Sequence, residues 1–121
     1  MSKRILVIED QEDNRRIVRD LLTSFSYEVI EAVTGEAGVA LAETGRPSLI
    51  LMDIQLPGFD GYEATRRIKA NPGLNQIPII AVTSYALSGD DTKAAAAGCD
   101  GYVTKPFRPR LLLAKVREYL P

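Results

Sequence analysis

Five times along this chain a short apolar run of four to seven residues gives way to a longer segment with helical spacing, and each junction carries turn residues. The runs fall at residues 4–8, 28–32, 49–52, 77–83 and 101–104. The first, third and fourth are nearly unbroken Ile, Leu and Val, which is the make-up of strands covered on both faces. After the first run, Ile17, Val18, Leu21, Leu22 and Phe25 recur at helical spacing with charges between them, which predicts an amphipathic first helix. A second helix is expected over 34–44, stopped by Gly45-Arg46-Pro47 because proline cannot continue the hydrogen-bond ladder. Asp60 with Glu63 reads as a capping box opening a third, which Asn71-Pro72-Gly73 ends. An alanine-rich fourth is expected over 87–97, and Pro109 opens a fifth whose stripe is Leu112, Leu113, Val116 and Leu120.

Strand and helix alternating in this way predict an α/β fold: a doubly wound, five-stranded parallel sheet with helices on both faces, joined by right-handed crossovers. Either common strand order of such sheets binds ligands beyond the carboxyl ends of the strands, beside the switch point. The informative residues are therefore those that follow each strand. They are Glu9-Asp10 after the first, Asp53 after the third, Thr83-Ser84 after the fourth and Lys105-Pro106 after the fifth.

Length and composition narrow the partners. At 121 residues the chain has room for one ordinary hydrophobic core, so residues 1–121 are expected to be a single domain. A net charge of −1 lacks the basic excess of a nucleic-acid binder, and no nucleic acid is expected as a partner. Arg15-Arg16 and Arg66-Arg67 read as solvated helix faces. No apolar run reaches the length of a membrane span, no signal-peptide pattern opens the chain, and the lone Cys99 cannot form an internal disulfide, so the cytoplasm is expected. The chain contains no histidine, which excludes Ser-His-Asp and Cys-His catalysis, histidine metal sites and a histidine phosphodonor.

The strand-end residues make a chemically coherent set. Three gathered carboxylates raise one another's pKa and take up protons unless a cation compensates. All-oxygen donors point to Mg²⁺ in preference to zinc, and Mg²⁺ with Lys105 balances the charges of Glu9, Asp10 and Asp53. Such a site can accept a phosphoryl group on a carboxylate, because phosphoryl transfer needs mainly positioning and charge neutralisation. Asp53 is the best placed acceptor, directly after Leu49-Ile50-Leu51-Met52 on a rigid strand. Taken singly, each residue has a plainer role: Asp10 or Asp13 as a helix cap, Thr83 as a strand residue, Lys105 as a solvated lysine. Asp53 resists that treatment, since an acid ending a buried strand must satisfy its charge.

Glu9-Asp10, the LILMDIQLPGFDG stretch around Asp53, AVTSYA with Thr83, and GYVTKPF with Tyr102, Lys105 and Pro106 together resemble the receiver domain of two-component response regulators, the CheY-like superfamily, along essentially the whole chain. The resemblance implies the flavodoxin-like strand order 2-1-3-4-5. It implies Asp53 as phosphoacceptor, Mg²⁺ held directly by Asp10 and Asp53, through water by Glu9, and by the backbone carbonyl of Gln55. Lys105 would pair with phosphoryl oxygens, with a cis bond to Pro106 as one way of placing it. Thr83 and Tyr102 would act as the switch, and Ser84 and Tyr85 as auxiliary residues.

Partners implied are a histidine kinase or histidine phosphotransferase and a downstream protein target, met on the face of the fourth helix, fifth strand and fifth helix, which carries Arg108, Arg110, Lys115 and Arg117. A monomer or weak dimer is expected. Gln55 and Tyr85, two places beyond Asp53 and Thr83, lie where the family tunes phosphate lifetime. No linker or output domain follows the fifth helix, so protein contacts or onward phosphotransfer are expected to carry the signal.

Two other functions fit the topology. A Mg²⁺-dependent aspartyl-phosphate phosphohydrolase would want a second acid two residues past the nucleophile, where this chain has Gln55. A flavin- or nucleotide-binding module would want a Gly, Ser or Thr phosphate loop, where this chain has Gln11-Glu12-Asp13 and neither common phosphate-binding glycine motif. A degenerate receiver is disfavoured by the intact set.

Overall fold

In the computed structural model, which describes residues 3–84 and 90–120, the strands β1 (Arg4–Ile8), β2 (Glu28–Ala32), β3 (Leu49–Asp53), β4 (Ile79–Thr83) and β5 (Gly101–Thr104) form one parallel sheet. Their order is 2-1-3-4-5. The helices α1 (Glu12–Ser24), α2 (Gly35–Gly45), α3 (Gly61–Lys69), α4 (Asp90–Ala97) and α5 (Pro109–Tyr119) fill the connections. This is the flavodoxin-like order, and the chain crosses from one side of β1 to the other between β2 and β3, which makes the switch point β1/β3.

Side-chain alternation divides the core into two layers. Ile5, Val7, Leu49, Leu51, Ile80 and Val82 meet Val18 and Leu22 of α1 and Leu112 and Val116 of α5 on one face. Leu6, Ile8, Ile50, Met52 and Ile79 meet Ala42 of α2 and Ala64 and Ile68 of α3 on the other. β3 is buried along its whole length and β1 from Ile5 to Ile8, each large apolar side chain contributing about 1.5–3 kcal/mol by leaving water.

Helix boundaries follow local chemistry. The Thr34 side chain accepts from Ala37 N at 3.0 Å to cap α2, which ends where Arg46 turns left-handed at φ 45° before Pro47. Asp60 accepts from Glu63 N at 3.0 Å to cap α3. The reciprocal half of the expected capping box is absent, because Glu63 pairs with Arg66 and Arg67. Neither Asp10 nor Asp13 caps α1, whose N-cap is Gln11.

Three boundaries or faces differ from expectation. β4 begins at Ile79, two residues later than 77, because Pro78 has no N–H for the ladder and Ile77 N turns back to Leu74 O at 3.0 Å. β3 runs one residue further, through Asp53, which pairs in register with Val82. Ile17 and Phe25, read as part of the buried stripe of α1, are 47% and 45% exposed. Val18 and Leu22, four apart, take the sheet-facing line; Phe25 lies past the last turn, with the Arg117 guanidinium 5.1 Å from its ring centre. The expected first turn of α4, and Tyr85 before it, fall outside the described residues.

Candidate functional site

β1 makes its last ladder bond at Glu9, whose N–H reaches Ala32 O at 3.0 Å, and the chain then turns sharply into α1. The turn leaves Glu9 only 3% exposed and Asp10 exposed. Glu9 Oε2 accepts from Gln11 N at 3.1 Å. On the neighbouring strand Asp53 is also 3% exposed, and its Oδ1 accepts from Gln55 N at 3.0 Å. Behind it, α3 begins so close that a Cβ on Gly61 would overlap the Asp53 carbonyl oxygen, a closeness that only glycine permits.

Lys105 crosses from β5 to both acids. Its Nζ lies 2.6 Å from Glu9 Oε1 and 3.3 Å from Asp53 Oδ2, with the side chain only 15% exposed. The Lys105 N–H donates to Thr83 O at 2.7 Å, tying the end of β5 to the end of β4, and the Lys105–Pro106 peptide is cis. Thr83 is fully buried and Ser84 beside it is exposed. Tyr102 is half-buried against Ile54, Ala81 and Ala94, with its hydroxyl shielded from solvent. The plain readings of Lys105 as a solvated lysine and of Asp10 as a cap therefore both fail.

Burial and mutual repulsion set the charges here. Burial first, and then the Glu9 carboxylate, push Asp53 up to about 6. Burial and Glu9 likewise push Asp10 upward. Burial works on Glu9 in the same sense, but the Lys105 ammonium and the Gln11 amide outweigh it and hold Glu9 below the usual carboxylate range. Lys105 is pulled down by burial and lifted further by its two acids, ending above its ordinary value.

This donor set suits a small hard cation. Ligand oxygens of Glu9, Asp10 and Asp53 all lie within 4.8 Å of one another. Two oxygens on one octahedral Mg²⁺ stand at most about 4.2 Å apart, so a cluster of this spread is of the size that one ion could hold. One ammonium against three carboxylates leaves a deficit that a divalent ion removes.

The sequence pointed to no part for Arg15 beyond a solvated helix face. Its Nη1 donates to Glu9 O at 3.0 Å and to Asp10 O at 3.1 Å, and its Nε lies 3.4 Å from Glu31 on β2. The available signal was its place in the first turn of α1, above the β1 end, with an acid on the adjacent strand.

Away from the acids, a groove of about 520 Å³ runs between β5 and α5, lined by residues including Phe107, Leu111, Lys115 and Glu118. Arg108 and Arg110 stand exposed at its end, whereas Lys115 pairs with Glu118 at 3.1 Å and Arg117 covers Phe25. Among the described residues no helix is long and apolar enough to cross a membrane.

Comparison with known proteins agrees with this geometry. The family model described as the response regulator receiver domain matches residues 5–117. The polar-differentiation response regulator DivK of Brucella anthropi is 39% identical over 120 residues, covering 99% of this chain and 98% of the relative. Among solved structures, a putative response regulator from Chloroflexus aurantiacus superposes with a TM-score of 0.95 at 27% identity, covering 99% of this chain and 98% of the other. The receiver domain of the sensor histidine kinase PA1611 from Pseudomonas aeruginosa, solved with a magnesium ion coordinated in its active-site cleft, superposes at 0.92 with 37% identity and the same coverage.

Proposed function

This chain belongs to the response regulator receiver domain family, and we propose that it works as a phospho-accepting switch in which Asp53 takes a phosphoryl group from a histidine kinase or histidine phosphotransferase. The observation that carries this reading is the buried Asp53 carboxylate bracketed by Glu9, Asp10 and Lys105. Residues 1–121 act as one receiver unit, in the cytoplasm, as a monomer or weak dimer.

In the transfer, an Asp53 carboxylate oxygen attacks phosphorus, an O–P bond forms, and the P–N bond of phosphohistidine breaks with its electron pair returning to the imidazole. The Gln55 amide on Oδ1 fixes the rotation of the carboxylate before attack. Lys105, which faces Asp53 before transfer, shifts onto the phosphoryl oxygens and neutralises their charge. Asp10, Asp53 and the Gln55 carbonyl are the residues to hold Mg²⁺ directly, with Glu9 acting through water; the PA1611 receiver domain supports the choice of ion. The bound ion supplies charge neutralisation between the acids and the incoming phosphoryl group.

Phosphorylation then changes which loop arrangement is favoured. New acceptor oxygens reward the Thr83 hydroxyl and Lys105 for moving to them, and Tyr102, packed beside β4, follows the space that Thr83 vacates. A shift from 1:99 to 99:1 takes about 5.5 kcal/mol of differential stabilisation, so a partial shift is the expectation. The readout is altered protein binding on the α4-β5-α5 face, with Arg108, Arg110 and the β5–α5 groove at its centre. Ser84, Pro106 and Tyr85 are auxiliary to these movements.

The test is labelling with acetyl phosphate or a phosphorylated histidine kinase, with and without Mg²⁺. Incorporation that needs Mg²⁺ and disappears in Asp53→Asn is the expected result. Undiminished incorporation by Asp53→Asn overturns the assignment. Steady release of phosphate from small phosphomonoesters would instead make the protein a phosphohydrolase.

A further inference from the structure

The Arg15 guanidinium makes contacts that neither helix formation nor core packing requires. One nitrogen, Nη1, takes two of the three backbone carbonyls that lie between the end of β1 and the start of α1, those of Glu9 and Asp10, at 3.0 and 3.1 Å. These carbonyls have left the sheet ladder, whose last bond there is Glu9 N to Ala32 O. The other end of the guanidinium is held by Glu31, 3.4 Å from Nε. Glu31 is itself gripped by Arg19, whose Nη1 lies 3.0 and 2.9 Å from its two oxygens. The Arg15 side chain is 16% exposed and Glu31 23% exposed, so the contact is largely shielded from water.

The contacts are to carbonyl oxygens of the acidic turn and not to its carboxylates, so Arg15 governs where the turn sits. A planar fork with donors on two sides can join a carboxylate to a pair of carbonyls, whereas an ammonium is a single point charge on a flexible stem. Glu31 stands opposite Val7 in the β1–β2 register, one residue before the ladder's end, so the fork measures the turn against the rigid sheet.

We infer that Arg15, anchored by Glu31, is a positioning residue that fixes the Glu9-Asp10 turn and thereby sets the preference of the acid cluster for Mg²⁺ over Ca²⁺. The inference rests on reading Glu9, Asp10 and Asp53 as the Mg²⁺ site. Mg²⁺ demands near-ideal octahedral geometry at 2.0–2.1 Å, while Ca²⁺ accepts longer bonds and variable coordination, so loosening the turn harms Mg²⁺ binding more.

The test is calorimetric titration of the full chain with MgCl₂ and, separately, CaCl₂, alongside urea unfolding in metal-free buffer. The variants are Arg15→Met, Arg15→Lys and Glu31→Gln, with Asp10→Asn as the reference for a damaged site. Arg15→Met should weaken Mg²⁺ binding by about tenfold to a hundredfold, the usual effect of losing an outer-shell partner, with a smaller loss for Ca²⁺. Arg15→Lys and Glu31→Gln should fall between it and the parent, and they carry the test if Arg15→Met does not fold.

Mg²⁺ affinity within twofold of the parent, with only the urea midpoint lowered, makes the contact purely structural and overturns the inference. Equal losses for both cations assign Arg15 to charge and not geometry, and also overturn it. If the parent and Asp10→Asn take up Mg²⁺ alike, the site reading itself fails and the inference falls with it.

Discussion

Lys105 stands closer to Glu9 than to Asp53: its Nζ is 2.6 Å from Glu9 Oε1 and 3.3 Å from Asp53 Oδ2. The ammonium thus serves two buried carboxylates at once, and its removal strands both. Lys105→Met is expected to destabilise the metal-free protein by about 3 kcal/mol, as loss of one member of a buried ion pair does. Mg²⁺ should restore most of that stability and bind roughly tenfold tighter, since a competing positive charge has gone. Urea melts with and without MgCl₂ check both; an unchanged metal-free midpoint would show that Lys105 is not what holds the acids.

The raised pKa of Asp53 gives a pH dependence with a definite sign. Burial and Glu9 lift it from the ordinary 3.8 to about 6, so between those values the folded chain holds a proton that the unfolded chain has released. Stability contributed by this proton is present below about pH 4 and lost as pH rises through 6, worth about 3 kcal/mol in all. Glu9 acts oppositely: held below its ordinary 4.5, it stabilises the fold above that value and ceases to do so as pH falls through its lower folded pKa. Between pH 5 and 7 the Asp53 effect governs the slope of the metal-free protein. Mg²⁺ needs Asp53 ionised, so its stabilising effect in thermal melts should shrink from pH 7.5 to pH 5; an equal Mg²⁺ effect at both would contradict the site.

Gly61 and Gly58 should respond differently to the same substitution. A Cβ at Gly61 would overlap the Asp53 carbonyl oxygen and lie 2.7 Å from Ile54 Cα, backbone that cannot swing aside. Gly61→Ala is expected to cost about 1–3 kcal/mol and to weaken Mg²⁺ binding by displacing Asp53. At Gly58, with φ at 77°, nothing lies within 4 Å of the added carbon. Gly58→Ala should cost about 1–2 kcal/mol, from left-handed backbone strain alone, and leave Mg²⁺ affinity unchanged. Denaturation and calorimetry on the pair separate close approach from backbone strain.

Alternation of apolar runs with helical spacing sufficed to place every strand and to list Glu9, Asp10, Asp53, Thr83 and Lys105 as strand-end neighbours. It failed where a single local group competed with the pattern. Pro78 shortened β4 because a missing N–H matters only to the strand beside it. Ile17 satisfied the helical period yet faces outward, because period alone does not say which of several adjacent apolar residues will line the sheet.

The order of elements, the parallel sheet and the chemical identity of the residues at its carboxyl edge were legible in the residues alone, because these depend on side-chain type and on a repeat of two or 3.6 residues along the chain. It took the folded chain to put Lys105 between Glu9 and Asp53, to turn Arg15 back onto two carbonyls, and to lay Gly61 against Asp53. Those relations join residues up to 96 positions apart in the chain, as Glu9 and Lys105 are. Their distances arise from strand register and the closing of three separate loops, which no local pattern encodes.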